Sequence, residues 1–99
     1  MAERRYVVPH DVDLANTQEL QANLLVLVNA TNDDLVLDCA DLEFIDSTGV
    51  GVFMHARQLL QIQGRGFRVE HLHGMPKRTF DLLGLTELVV ETEPAKPSA

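Results

Sequence analysis

Short continuous apolar runs alternate along the chain with longer stretches in which apolar residues recur every third or fourth position, the two periodicities of strands and helices. Arg5–Pro9 reads as a strand, because Tyr6, Val7 and Val8 are good strand formers and Pro9 ends the run. The polar segment His10-Asp11-Val12-Asp13 leads into a first helix. Leu20, Leu24, Leu27 and Val28 share one face of it, thickened by Leu25 and Val26. Asp13 or Asn16 can cap this helix, with Glu19 placed after Asn16 as a capping box requires. The turn-rich cluster Asn29–Asp34 ends it.

Leu35–Cys39 is apolar apart from Asp38 and predicts a strand buried on both faces. Ala40–Asp46 is a connection with Leu42, Phe44 and Ile45 packed inward. Ser47-Thr48-Gly49 opens a second helix, whose stripe is Val52, Phe53, Ala56, Leu59 and Leu60, and Gly64-Arg65-Gly66 stops it. Phe67–Leu72 predicts a strand with Phe67, Val69 and His71 on one face. Gly74-Met75-Pro76 starts a third helix with Pro76 at its first position, Phe80 and Leu83 inward and Gly84 at its end. Leu88–Val90 is expected to be a last short strand. Glu91–Ala99 reads as a loose tail. The order β-α-β-α-β-α-β, without repeats, predicts one α/β domain over residues 1–90, its sheet largely parallel with about four strands.

Composition narrows the function. Ninety-nine residues make one small domain with little room for a deep substrate cavity, which favours a binding protein over an enzyme. The formal charge of -7 argues against direct nucleic-acid binding, which needs a basic surface, and one Tyr without Trp makes no base-stacking platform. Cys39 is the sole cysteine, so no internal disulfide forms and a reducing compartment is expected. The longest apolar run, Leu24–Val28, is far short of the about 20 residues that span a bilayer. Residues Met1–Arg5 carry no hydrophobic signal core, so the expected location is cytoplasmic, without membrane attachment.

Candidate chemistry concentrates in Asp41–Val52. There a connection delivers the hydroxyl pair Ser47 and Thr48 to a helix N-terminus, where free N–H groups and the dipole accept an anion. Asp46 lies beside them, and Gly49 and Gly51 thin the first turn for close approach of another backbone or a nucleotide. Two readings fit these residues: a phosphorylatable serine on a recognition surface, or a plain Ser/Thr helix cap. His55, His71, His73 and Cys39 have no spacing that demands zinc, so no metal site is expected. Cys39 fits an inert buried thiol. No glycine loop followed by Lys and Ser/Thr is present, and no cofactor is expected.

The segment Asp41-Leu42-Glu43-Phe44-Ile45-Asp46-Ser47-Thr48-Gly49-Val50-Gly51-Val52 resembles the signature loop of STAS-domain anti-sigma-factor antagonists. Asp11–Ala15 resembles the acidic turn before that family's first helix, Gln63–Gly66 its glycine stop, and Pro76–Leu85 its third helix and closing Gly-Leu. The resemblance implies that Ser47 is phosphorylated by a partner anti-sigma factor, an ATP-dependent serine kinase, and restored by a protein phosphatase. It implies a protein that captures this kinase when unphosphorylated and so frees a sigma factor. It also places Asp13, Asp46, Ser47, Thr48 and Gly49 at the partner surface. For Asp13, helix capping fits equally well. The alternative is a STAS subunit of a stressosome-like or transporter assembly. The chain departs from the family where only Met1–Pro9 precede the acidic turn, which holds one strand rather than two, and where His10 replaces a glycine. An absent edge strand would expose backbone groups and bear on oligomeric state.

Overall fold

A computed structural model of the chain describes residues 2–90. The element order is β1 (Glu3–Val7), β2 (Asp11–Val12), α1 (Thr17–Ala30), β3 (Asp34–Asp38), β4 (Phe44–Ile45), α2 (Ser47–Ile62), β5 (Phe67–Glu70), α3 (Gly74–Leu82) and α4 (Thr86–Val90). Strands β1, β3 and β5 form a three-stranded sheet in the order β1-β3-β5, parallel throughout, and β2 and β4 form a separate parallel pair. The mixed α/β architecture with a parallel sheet is the one expected from the alternation of strands and helices. The tail 91–99 lies outside the described residues.

One face of the sheet packs on helices. Leu35, Leu37 and Val69 join Leu20, Leu24 and Val28 of α1 and Val52, Phe53, Ala56 and Leu60 of α2 in a continuous buried cluster. The helices dock because their buried residues recur at helical spacing. Arg65 holds the end of α1: its guanidinium donates to the Val28 carbonyl (2.9 Å) and twice to that of Asp33 (3.0 and 2.8 Å). Gly64, at φ 71°, supplies the left-handed turn that stops α2. The other face of the sheet is charged. Val36 is fully buried there between Arg5 and Arg68 on the flanking strands, whose side chains pair with Glu70 and, for Arg68, also with Glu3.

Several expectations are corrected. Leu88–Val90 belongs to helix α4, not to a strand. Its β-branched residues suit a strand locally, but Val89 reaches full burial from a helix, and the Leu88 carbonyl accepts from Arg57 Nε of α2 at 3.1 Å. The predicted fourth strand is replaced by the short pair β2-β4, too brief for a two-residue alternation to show. Within β4, Ile45 is buried while Phe44 points outward, 40% exposed, because adjacent strand residues face opposite sides. Strand β5 ends at Glu70, and His71 leaves it at φ 63° rather than continuing the inward face. Val26 and Leu83 are 65% and 51% exposed, so neither thickens the core. Pro76 sits at the third position of α3, not the first, and is itself buried.

Candidate functional site

The site residues are held where the β2-β4 pair meets the start of α2. Asp46 is the N-cap of α2, and Ser47, Thr48 and Gly49 fill its first turn. One carboxylate oxygen of Asp46 accepts from the Gly49 amide (3.0 Å) and the Thr48 hydroxyl (2.6 Å), and the other accepts from the Leu14 amide (3.1 Å). These bonds hold the Asp46 carboxyl below its ordinary range, the Thr48 hydroxyl contributing most and then the Gly49 amide. The capping role thus belongs to Asp46, and the plain-cap reading of Ser47 is corrected. Ser47 is exposed, and its side chain makes no hydrogen bond among the described residues.

Gly49 is required by packing. A Cβ there would stand 2.6 Å from Val12 Cγ1 and 2.7 Å from Ile45 Cγ1, with the Val12 carbonyl oxygen at 3.1 Å. The close approach expected at this glycine is made by the chain's own β2 and β4. Gly51 differs: it is exposed, and a Cβ would meet nothing within 4 Å.

The loop of Asp13 lies against the same turn. Asp13 Oδ1 accepts from the Ala15 amide at 2.9 Å, and its carbonyl accepts from the Asn16 and Thr17 amides. Asn16 is the N-cap residue of α1 by position, but its side chain makes no cap bond. It reaches backward instead, accepting from the Asp13 amide (2.9 Å) and donating to the Asp11 carbonyl (2.8 Å). The expected capping box therefore does not form, and Asp13 and Asn16 serve to shape the β2-α1 loop.

All five candidate residues are thereby gathered: Asp13 through the Leu14 contact, and Asp46, Ser47, Thr48 and Gly49 in one turn. Leu14 is a neighbour that the pattern of apolar positions did not single out. It is 75% exposed, with its amide fixed on Asp46. Its signal was an apolar residue beside acidic ones, outside any helical stripe. Beside the turn, a groove of about 510 Å³ runs between α1 and α2, lined by Thr17, Gln21, Leu25, Thr48, Gly51 and Val52 among others.

The remaining chemical candidates are accounted for structurally. Cys39 is buried, and desolvation, aided by Asp38, pushes its thiol up to about 12. His71 Nδ1 lies 3.0 Å from Asp38 Oδ1, and His73 Nε2 lies 3.0 Å from the Ala40 carbonyl. Among the described residues no group of three or more His, Cys, Asp or Glu could hold a metal ion. No described helix is long and apolar enough to cross a membrane.

The STAS domain model matches residues 5–99, nearly the whole chain. The chain belongs to the STAS family. It is 29% identical over 79 residues to the anti-sigma-B factor antagonist of Bacillus subtilis (strain 168), covering 80% of this chain and 72% of that protein. Its fold is similar to the crystal structure of a sulfate transporter family protein from Wolinella succinogenes, with a TM-score of 0.69 over 90% of this chain and 72% of that one at 13% identity. STAS domains are regulatory, non-catalytic modules that pair with partner proteins, and this protein is one of them.

Proposed function

We propose that this STAS protein is a partner-switching antagonist of an anti-sigma factor, with Ser47 as its switch. The observation that carries the reading is that Ser47 stands exposed at the first position of α2 while Asp46, not Ser47, caps the helix. The hydroxyl is thus available to chemistry at no cost to the fold. The likeness to the Bacillus subtilis antagonist supports the same reading.

In this proposal the unphosphorylated face formed by Asp13, Asp46, Ser47, Thr48 and the backbone at Gly49 binds an anti-sigma-factor kinase and releases its sigma factor. The kinase then transfers the γ-phosphoryl group of ATP to Ser47 Oγ. The new O–P bond replaces the bond to the departing ADP, and the hydroxyl proton passes to a kinase base. The phosphoserine carries about -1.5 to -2 charges. The positive end of the α2 dipole accommodates it in the free protein, beside the Asp46 carboxylate that already takes the Gly49 amide. Its position next to the ionised Asp46 makes burial against a partner costly, so the complex dissociates, and a phosphatase resets the switch. The domain is read as residues 1–90, acting in the cytoplasm, with 91–99 as a tail.

A second reading is a STAS subunit of a transporter or stressosome-like assembly, favoured by the shared fold with the sulfate transporter family protein. One experiment separates the two. Wild type, Ser47→Ala and Ser47→Asp are incubated with ATP and an anti-sigma-factor kinase, then assayed by peptide mass spectrometry and calorimetry. The switch reading expects one phosphate on Ser47 in wild type, none in either variant, retained binding by Ser47→Ala and at least tenfold weaker binding by Ser47→Asp, a difference of about 1.4 kcal/mol. Equal binding by both variants favours the subunit reading, and labelling of Ser47→Ala as strong as that of wild type overturns the assignment to Ser47.

A further inference from the structure

The two edges of the main sheet are unlike. Beside β5 packs α4, whereas no described strand pairs with the outer edge of β1. The hydrogen bonds to β3 fix which β1 residues face outward. The Ala2 carbonyl accepts from the Asp34 amide (3.1 Å), and the Val8 amide donates to the Asp38 carbonyl (3.0 Å). Since backbone groups alternate along a strand, Ala2, Arg4, Tyr6 and Val8 turn inward to β3. Glu3, Arg5 and Val7 turn their N–H and C=O groups outward.

We propose that this edge pairs antiparallel with the β1 edge of a second copy, about a two-fold axis at Arg4, making one continuous sheet. Outward-facing residues must meet outward-facing residues, which leaves few registers. An axis at Arg5 sets Arg5 against Arg5 and Glu3 against Val7, which leaves no opposite charges paired across the seam. An axis at Tyr6 brings Glu3 opposite Pro9, which has no N–H to give. An axis at Arg4 sets Glu3 of each copy opposite Arg5 of the other, twice over, on the charged face of the sheet. Charge complementarity selects this register, because opposite charges directly across strands attract and like charges repel. Within each chain Glu3 already pairs with Arg68, and Arg5 with Glu70 and Asp38, so the second copy joins these pairs into one network across the seam. Arg4 meets its own copy across the axis, but Asp33 at 3.6 Å offsets its charge. An isologous edge of this kind closes after two copies and leaves no strand to propagate.

The test uses the full chain in analytical ultracentrifugation over a range of concentrations, with amide hydrogen exchange as a second readout. Wild type is expected to dimerise reversibly, with exchange at Glu3 and Arg5 slowing as dimer forms. Arg5→Glu alone and Glu3→Arg alone are each expected to be monomeric, because each sets like charges opposite in its own homodimer. An equimolar mixture of the two variants is expected to form a heterodimer, since two carboxylates of one chain then face two guanidinium groups of the other. Thermal melts verify that both variants fold. A wild type that stays monomeric, a dimer that survives Arg5→Glu, or a mixture of folded variants that does not associate each overturns the proposal.

Discussion

The two sides of the first turn of α2 obey different constraints. On the inward side, Asp46 and Gly49 are fixed by contacts: three hydrogen bonds on one carboxylate, and two fully buried side chains pressed against the place of a missing Cβ. On the outward side, Ser47 and Gly51 touch nothing that explains them. A glycine inside a helix costs about 0.5–1 kcal/mol relative to alanine. At Gly49 that cost is offset by dense packing, and at Gly51 nothing within the described residues offsets it. One contiguous motif thus carries two demands, one for folding and one for being free to meet another molecule.

Substituting the inward glycine should produce the largest effect. Gly49→Ala drives a methyl into Val12 and Ile45, with a carbonyl behind it that cannot give way. Overpacking of this kind costs about 1–3 kcal/mol, against which the better helix propensity of alanine returns up to about 1. Chemical denaturation should show clear net destabilisation. A variant as stable as wild type would break the distinction between the two glycines.

A smaller, pH-dependent loss is expected at the cap. Asp46→Asn keeps the shape of the side chain but removes the charge that the Thr48 hydroxyl and the Gly49 and Leu14 amides favour. The folded carboxyl titrates below its ordinary value of 3.8, so its stabilisation is present above that value and lost as pH falls through the depressed one. Wild type should therefore be more stable than Asp46→Asn at neutral pH, and the gap should close on acidification below 3.8. Denaturation midpoints of the two proteins across that range measure it, and a gap independent of pH would detach the cap from its charge.

The smallest effect, opposite in sign, is expected on the outward side. Gly51→Ala meets nothing within 4 Å and should stabilise the helix by about 0.5–1 kcal/mol. For a domain of this size each kcal/mol raises Tm by about 4–8 °C. A thermal melt showing a loss instead would mean that Gly51, like Gly49, is held by the fold.

How much of this was legible in the sequence varies with the range of the forces involved. The start of α2 at Ser47, its buried stripe and its stop at Gly64 follow from local periodicity and turn chemistry, and the structure keeps them. The candidate residues were legible because a motif placed them together. The assignment of the cap was not, since Asp46, Ser47 and Thr48 are all good capping types and only the chain geometry chooses among them. The segment Leu88-Val89-Val90 shows the same limit. Three apolar residues fit a strand or a helical turn equally, and contacts with α2 and β5 decided for the helix.

By itself the sequence determined the three strands of the main sheet and the helix that follows each, the parallel pairing that this order requires, the position of Ser47 at a helix start, and the burial of Cys39. Each follows from spacing along the chain, where side chains a few residues apart share a face. Only the tertiary structure decided that Gly49 is pressed by Val12 from a distant part of the chain, that Asp46 reaches across to the Leu14 amide, and that β1 ends the sheet with no described strand on its outer side. These depend on which distant segments the packed core brings into contact, and no local pattern encodes that choice.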